Sequence, residues 1–197
     1  MSADLFLALV VFAFVTSITP GPNNLMLLTS GVNFGFVQPD PLTLGIGAGF
    51  FPQLIGLRLG LGAVLTAYPQ LHLALKIAGG AYLLHLAWKI AMSRTMGEGT
   101  AGARPMTLLQ AAAFQWVNPK AWVMAVTAMA VYTNPQRPFL SMLLVAVAFA
   151  LVNVPSVSTW AGFGVALRGF LADPARLKWF NIAMGGLLAV TLVPMLG

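Results

Sequence analysis

The chain has 197 residues, of which 59% are apolar and only 7% charged, with a mean hydropathy of +0.87 and a net charge of +6. Soluble domains run at about 45–50% apolar and about 25% charged, so this chain cannot coat a water-facing surface, and its scattered cations do not form a nucleic-acid footprint. The absence of cysteine removes disulfides, thiol nucleophiles, iron–sulfur clusters and cysteine-ligated zinc.

In chain order, apolar runs between breakers predict six spans at about 4–29, 42–67, 71–93, 107–132, 139–166 and 176–196, each near the roughly 20 residues that cross hydrocarbon as a helix. The expected fold class is an all-α integral membrane protein, one transmembrane domain over 1–197. The first run starts Met-Ser-Ala-Asp, without a cation, and continues past Thr16 and Ser17, so it is expected to stay as a span and not to be cleaved as a signal. Lys89, Arg94 and Arg104 flank the gap after the third span, and Arg168, Arg176 and Lys178 the gap after the fifth. The positive-inside rule places both gaps in the cytoplasm and both termini outside. The gap at 37–41 holds no Lys or Arg and gives no vote.

Span 1 carries Thr19-Pro20-Gly21-Pro22-Asn23-Asn24. Two prolines remove two backbone donors, so a break is expected here, with carbonyls that lipid cannot satisfy. The half-helix starting near Pro22 would present free N–H groups and a positive dipole end suited to a carboxylate. At about 100° per residue, Thr16, Thr19, Pro20 and Asn23 share an arc of roughly 100°. The competing reading is a kink packed dry against its neighbours.

Span 2 has a glycine stripe, Gly45, Gly49, Gly56 and Gly60, expected to be a close-packing face, with Pro52 as a kink and Gln53 reaching inward. Arg58 lies opposite the stripe and is expected to snorkel outward or meet another subunit. In span 3, Tyr82, His85 and Lys89 share a face; His85 is the one conventional proton carrier inside a span, although such a residue more often just bonds a neighbour. Span 4 holds Gln110, Gln115, Trp116, Asn118, Pro119, Lys120 and Trp122. A second break is expected at Pro119, with Gln115 and Asn118 toward the site. Lys120, about 160° from Asn118 on the wheel, reads as a snorkelling anchor beside Trp116 and Trp122, with substrate-carboxylate binding as the alternative. Span 5 offers one stripe of Asn153, Ser156, Trp160 and Gly164, which either lines a path or glues helices.

Residues 69–83 align without a gap to 174–188, matching Pro69 with Pro174, Ile77 with Ile182, Ala78 with Ala183, Gly80 with Gly185 and Leu83 with Leu188. At nearly the same offset Pro20 corresponds to Pro119 and Pro52 to Pro155. A duplication follows, with repeat 1 at about 4–93, a cytoplasmic linker at about 94–106 and repeat 2 at about 107–197. Three spans per repeat force the second copy to enter the membrane from the other side. Two inverted three-helix repeats with proline-broken helices 1 and 4 are the usual build of secondary transporters.

The run at 19–24, Ser30-Gly31, Phe34-Gly35-Phe36, Ala81-Tyr82-Leu83-Leu84, Ala87-Trp88-Lys89 and Gln115 to Ala121 together resemble the LysE/RhtB superfamily of amino-acid exporters, within it the branch exporting cysteine and O-acetylserine. The resemblance covers essentially the whole chain. It implies a bacterial inner-membrane protein, often a homodimer, that moves amino acids or their derivatives outward using the proton gradient. Two departures stand out. Relatives usually have basic residues after Phe36, where this chain has Val37, Gln38, Pro39 and Asp40. Several carry an acid near the position of Asn153, whereas here no span has an interior carboxylate, which puts proton antiport in doubt.

A lysine-like substrate would need a buried carboxylate to pair with its spare cation. A neutral zwitterion needs only a half-helix N-terminus, unwound carbonyls and side-chain oxygens. The expected substrate is therefore a small neutral amino acid, bound by Thr16, Thr19, Pro20, Gly21, Pro22, Asn23, Gln53, Gln115, Asn118, Pro119, Asn153 and Ser156, with lipid around the chain. No cofactor, metal or catalytic residue is expected, since an enzyme would need a nucleophile with a base, a carboxylate pair or metal ligands. The alternative is an oligomeric channel or a non-transporting scaffold.

Overall fold

Prolines and polar caps set where the helices begin. The computed structural model describes residues 1–35, 41–96 and 106–193, so the readings made for the 37–41 gap, Glu98, Arg104 and the extreme C-terminus lie wholly or largely outside the described residues. Among these, nine α-helices follow one another: α1 (Ala3–Ile18), α2 (Pro22–Phe34), α3 (Pro41–Arg58), α4 (Leu61–Ala67), α5 (Pro69–Met92), α6 (Leu108–Gln115), α7 (Pro119–Tyr132), α8 (Pro138–Leu167) and α9 (Pro174–Val190). Six of them open on proline, whose fixed φ suits the first turn and whose missing N–H costs nothing there. Side chains supply other caps: Ser2 accepts from Leu5 N–H, Asp173 from Ala175 and Arg176 N–H, and Thr107 with Gln110 forms a reciprocal capping box.

By length and composition α8 alone is sufficient to cross a membrane, and the pairs α1–α2 and α3–α4 pass the same test as bent units, at 54° and 73°. The bend between α3 and α4 differs from expectation in its place. Pro52 sits inside a continuous α3, as Pro155 sits inside a continuous α8. The chain turns instead at Gly60, whose φ of +96° an L side chain rarely adopts. Only Gly45 and Gly49 of the glycine stripe are pressed by a neighbouring helix backbone, that of α6; Gly56 faces the side chains of Leu61 and Trp116, and Gly60 is the turn itself.

Packing follows an exchange between the two halves of the chain. Both α1 and α2 lie on α8, both α6 and α7 lie on α3, and α5 lies on α9. The α2–α8 crossing is glycine-mediated: a Cβ at Gly31 would collide with the Ala161 carbonyl, and one at Gly164 with the Leu28 carbonyl. One apolar core holds Leu25, Leu27, Ile46, Phe114 and Val157, and a second holds Leu9, Ala13, Leu54, Val145 and Phe149. The outside is equally apolar. Phe139, Leu143, Val147, Leu151 and Val154 form an exposed stripe along α8, a surface suited to hydrocarbon and not to water.

The two ends of the molecule differ. At one end Val32 of α2 packs with Leu171 of the α8–α9 turn, with Leu177 of α9 and with Met96 after α5. Asn33, Ser93 and Asn181 bond one another there, with Asn33 Nδ2 to Asn181 Oδ1 at 3.2 Å and Asn181 Nδ2 to the Ser93 carbonyl at 3.1 Å. Arg168 reaches the C-terminus of α2, where its guanidinium stands beside Gly35. At the other end the Tyr132 hydroxyl lies 3.5 Å from the Ala8 carbonyl of α1.

Candidate functional site

A helix that stops inside a protein strands its last carbonyls and the next helix's first N–H groups. After Ile18 the carbonyls are taken up by side chains from three helices. Asn24 Nδ2 donates to the Ser17 and Thr19 carbonyls, both at 2.8 Å. Trp160 Nε1 of α8 donates to the Ile18 carbonyl at 3.0 Å. Lys120 Nζ of α7 donates to the Thr19 carbonyl at 2.5 Å and reaches the Pro20 carbonyl at 3.5 Å. The break between α6 and α7 is closed in the same manner: Gln53 Nε2 of α3 donates to the Gln115 carbonyl at 2.7 Å, and Trp122 Nε1 to the Trp116 carbonyl at 2.8 Å. So α8 serves the first break and α3 the second.

A reciprocal amide pair joins the two breaks. Asn23 Nδ2 donates to Gln115 Oε1 at 2.9 Å, and Gln115 Nε2 donates back to Asn23 Oδ1 at 3.1 Å. The N-termini of the two half-helices then differ. Asn118 Oδ1 caps α7 by accepting from Lys120 N–H at 3.1 Å. The N-terminus of α2 has Gly21 at its cap position and no side-chain cap, while Pro22 has no N–H, so the first-turn N–H groups of Asn23 and Asn24 face no capping side chain.

Between the breaks lies a cavity of about 30 Å³, lined by Thr16, Ser17, Gly21, Asn23, Asn24, Gln115, Asn118, Lys120 and Asn153, with Ile46, Phe50, Phe149 and neighbouring apolar side chains as walls. That is room for two or three waters at about 10–15 Å³ each, so an amino acid enters only if the walls part. Lys120 is the only charged residue among the described lining residues. The Ser17 hydroxyl is buried without a hydrogen-bond partner, and Asn153 has no side-chain bond among the described residues.

Six of the twelve residues expected at the site line this cavity: Thr16, Gly21, Asn23, Gln115, Asn118 and Asn153. Thr19 and Pro20 offer their carbonyls to Lys120, and Pro22 and Pro119 start α2 and α7. Gln53 is fully buried behind Gln115, with its Oε1 unpartnered, and Ser156 turns back to the Val152 carbonyl at 2.8 Å. Lys120 departs from the snorkelling expectation. Its wheel position ignored the break, which lets its long stem cross to α1; a Cβ at Gly21 would stand 2.7 Å from Lys120 Cδ. Trp122 likewise bonds a backbone carbonyl instead of standing free as an interfacial anchor. Sequence reasoning passed over Ser17 and Asn24; the signal for both was a polar residue within one turn of a proline break. Arg58 ends α3 exposed, as expected.

A second, larger space of about 540 Å³ lies one turn further along α2, toward the end that carries Arg94, and is lined by Thr29, Asn33, Tyr82, His85, Lys89 and Arg94 among others. Phe114, fully buried and with its ring 6.1 Å from that of Tyr82, stands in the apolar core between the two spaces.

Two broken helices thus meet around a small cavity with polar residues in its lining, inside a molecule whose exterior is apolar. The sequence matches the LysE type translocator family over residues 14–193, and the chain belongs to that family. It is 34% identical to the cysteine/O-acetylserine efflux proteins of Escherichia coli (strain K12) and Shigella sonnei (strain Ss046), over 98% of this chain and 98% of each relative. Against the protein of that name from Escherichia coli O1:K1 / APEC the identity is 33% over the same share. No solved structure matches the chain.

Proposed function

We propose that the protein exports small neutral amino acids or their derivatives across the bacterial inner membrane by alternating access. The observation that carries this reading is the pairing, across one small cavity, of the uncapped N-terminus of α2 with the C-terminal carbonyls of α1. Opposite dipole ends side by side match the carboxylate and ammonium of a zwitterion. No acid lines the cavity among the described residues, which disfavours a dibasic amino acid. The relatives named above efflux cysteine and O-acetylserine, both small neutral zwitterions.

The mechanism calls for six spans in two inverted repeats, and the packing supports that arrangement. The exchange of packing partners, α1 and α2 on α8 against α6 and α7 on α3, with α5 on α9, is what a two-fold relation between halves produces. Pro69 and Pro174 both start a helix, and Pro52 and Pro155 both sit within one. In this relation Pro22, and not Pro20, is the mate of Pro119, since each opens the second half-helix after its break. Rocking one half against the other would open the cavity first toward the basic 540 Å³ space and then away from it. Lys89 and Arg94 line that space and Arg168 stands beside Gly35 at the C-terminus of α2, which supports a cytoplasmic assignment for that end.

Counterflow in proteoliposomes tests the reading. Cysteine, O-acetylserine and other small neutral amino acids are expected to exchange saturably and stereoselectively, and lysine and arginine are not. Efficient lysine export without a response to neutral amino acids would overturn it, and non-saturable flux would mark a pore. Repeating the assay with an imposed pH gradient decides proton coupling.

A further inference from the structure

Lys120 occupies the position that a substrate ammonium requires. Its Nζ sits on the Thr19 and Pro20 carbonyls, at the negative end of α1. Its stem lies along Gly21, so that Nζ is 3.1 Å from where a Cβ at that position would be, beside the uncapped first turn of α2. A second, independent feature belongs to the same wall: Ser17, 3% exposed, is among the residues lining the cavity, and its buried hydroxyl has no partner. An ammonium, an unused hydroxyl donor and two free first-turn N–H groups converge there with no acid among the described lining residues. The wall is therefore donor-rich on one side and acceptor-rich on the other, and the acceptor side is held by the protein's own cation.

We propose that Lys120 is a built-in stand-in for the substrate ammonium and the cation that selects for a substrate carboxylate. In the empty site its ammonium satisfies the α1 carbonyls, which hydrocarbon could not. When a zwitterion enters, its ammonium takes over the Thr19 and Pro20 carbonyls. Lys120 turns to the carboxylate, which is held by the Asn23 and Asn24 N–H groups and by Ser17. Every charged group keeps a partner in both states. The exchange also accounts for the small cavity, because the space that a substrate needs is filled by the Lys120 side chain until it swings. A Cβ at Gly21 would press on the same stem, 2.7 Å from Lys120 Cδ, and the lysine side chain would have to shift. The inference rests on the reading of the cavity as an amino-acid site and deepens it by naming the residue that recognises the carboxylate.

Calorimetric titration of the purified protein with three probes tests it: L-cysteine, cysteamine, which lacks the carboxylate, and 3-mercaptopropionate, which lacks the ammonium. Wild type is expected to bind cysteine at least about tenfold more tightly than cysteamine. In Lys120→Met that preference falls below about threefold, and in Lys120→Arg a large part of it returns. The ratio is internal to each variant, so lowered stability of Lys120→Met does not imitate the result. A merely structural lysine would weaken cysteine and cysteamine alike and leave the ratio unchanged, which would overturn the proposal while leaving the amino-acid site standing. Equal binding of cysteine and cysteamine by wild type would overturn it in the same way. If wild type binds none of these probes and shows no counterflow, the amino-acid reading falls and this inference falls with it.

Discussion

Asn23 and Asn24 are adjacent and identical in type, yet they do different work: Asn24 caps the end of α1, while Asn23 pairs with Gln115 across the breaks. Each is fixed by where its side chain points once the helix has restarted. Ser17 is the reverse case, a buried hydroxyl with nothing to bond. A buried unsatisfied polar group costs about 1–3 kcal/mol, so in the empty protein Ser17→Ala is expected to leave stability unchanged or raise it by up to about 1 kcal/mol. The same change should raise the KM for efflux severalfold by removing a donor to the carboxylate. Thermal unfolding in detergent and counterflow kinetics read the two effects separately; a fall in stability with unaltered KM would make the hydroxyl structural.

At the scale of elements, glycine contacts decide how the halves meet. The α2–α8 crossing brings Gly31 and Gly164 backbone to backbone, with a Cβ at Gly31 only 3.1 Å from Gly164 Cα. Gly31→Leu is therefore expected to be destabilising by at least about 1–3 kcal/mol, the usual cost of overpacking, and to lower the unfolding temperature. Gly162 on the same α8 has nothing within 4 Å of an added Cβ, so Gly162→Ala serves as the tolerated control. The turn between α3 and α4 depends on backbone freedom and not on space: no atom lies within 4 Å of a Cβ at Gly60, but its φ is +96°. Gly60→Ala should cost about 1–2 kcal/mol in the same melt, from the left-handed backbone alone.

At the scale of the whole molecule, the proposed mechanism carries an orientation with it. It puts the end holding Arg94, Arg168 and the Asn33–Ser93–Asn181 cluster in the cytoplasm, and the end with Ser2 and the α7–α8 turn outside. Because the chain has no cysteine, single replacements report position directly. With an impermeant maleimide on intact cells, Ser2→Cys and Gln136→Cys are expected to label, and Ala175→Cys only after the membrane is opened. Labelling of Ala175→Cys from outside would reverse the orientation.

The amino-acid sequence by itself determined the class: too little charge for water, apolar runs long enough for helices, prolines where helices start, and the motifs of the LysE family. Composition and local stereochemistry suffice for those, since they do not depend on which helix is whose neighbour. Only the tertiary structure decided what the breaks do. The chain turns at Gly60, whose left-handed φ ends the helix, and α3 continues through Pro52. Lys120 crosses to α1, which no wheel drawn on one continuous helix could show. Gln53 turned away from the cavity because the stranded carbonyl of Gln115, 62 residues on, takes its amide, while Ser156 bonds back within its own helix to the Val152 carbonyl.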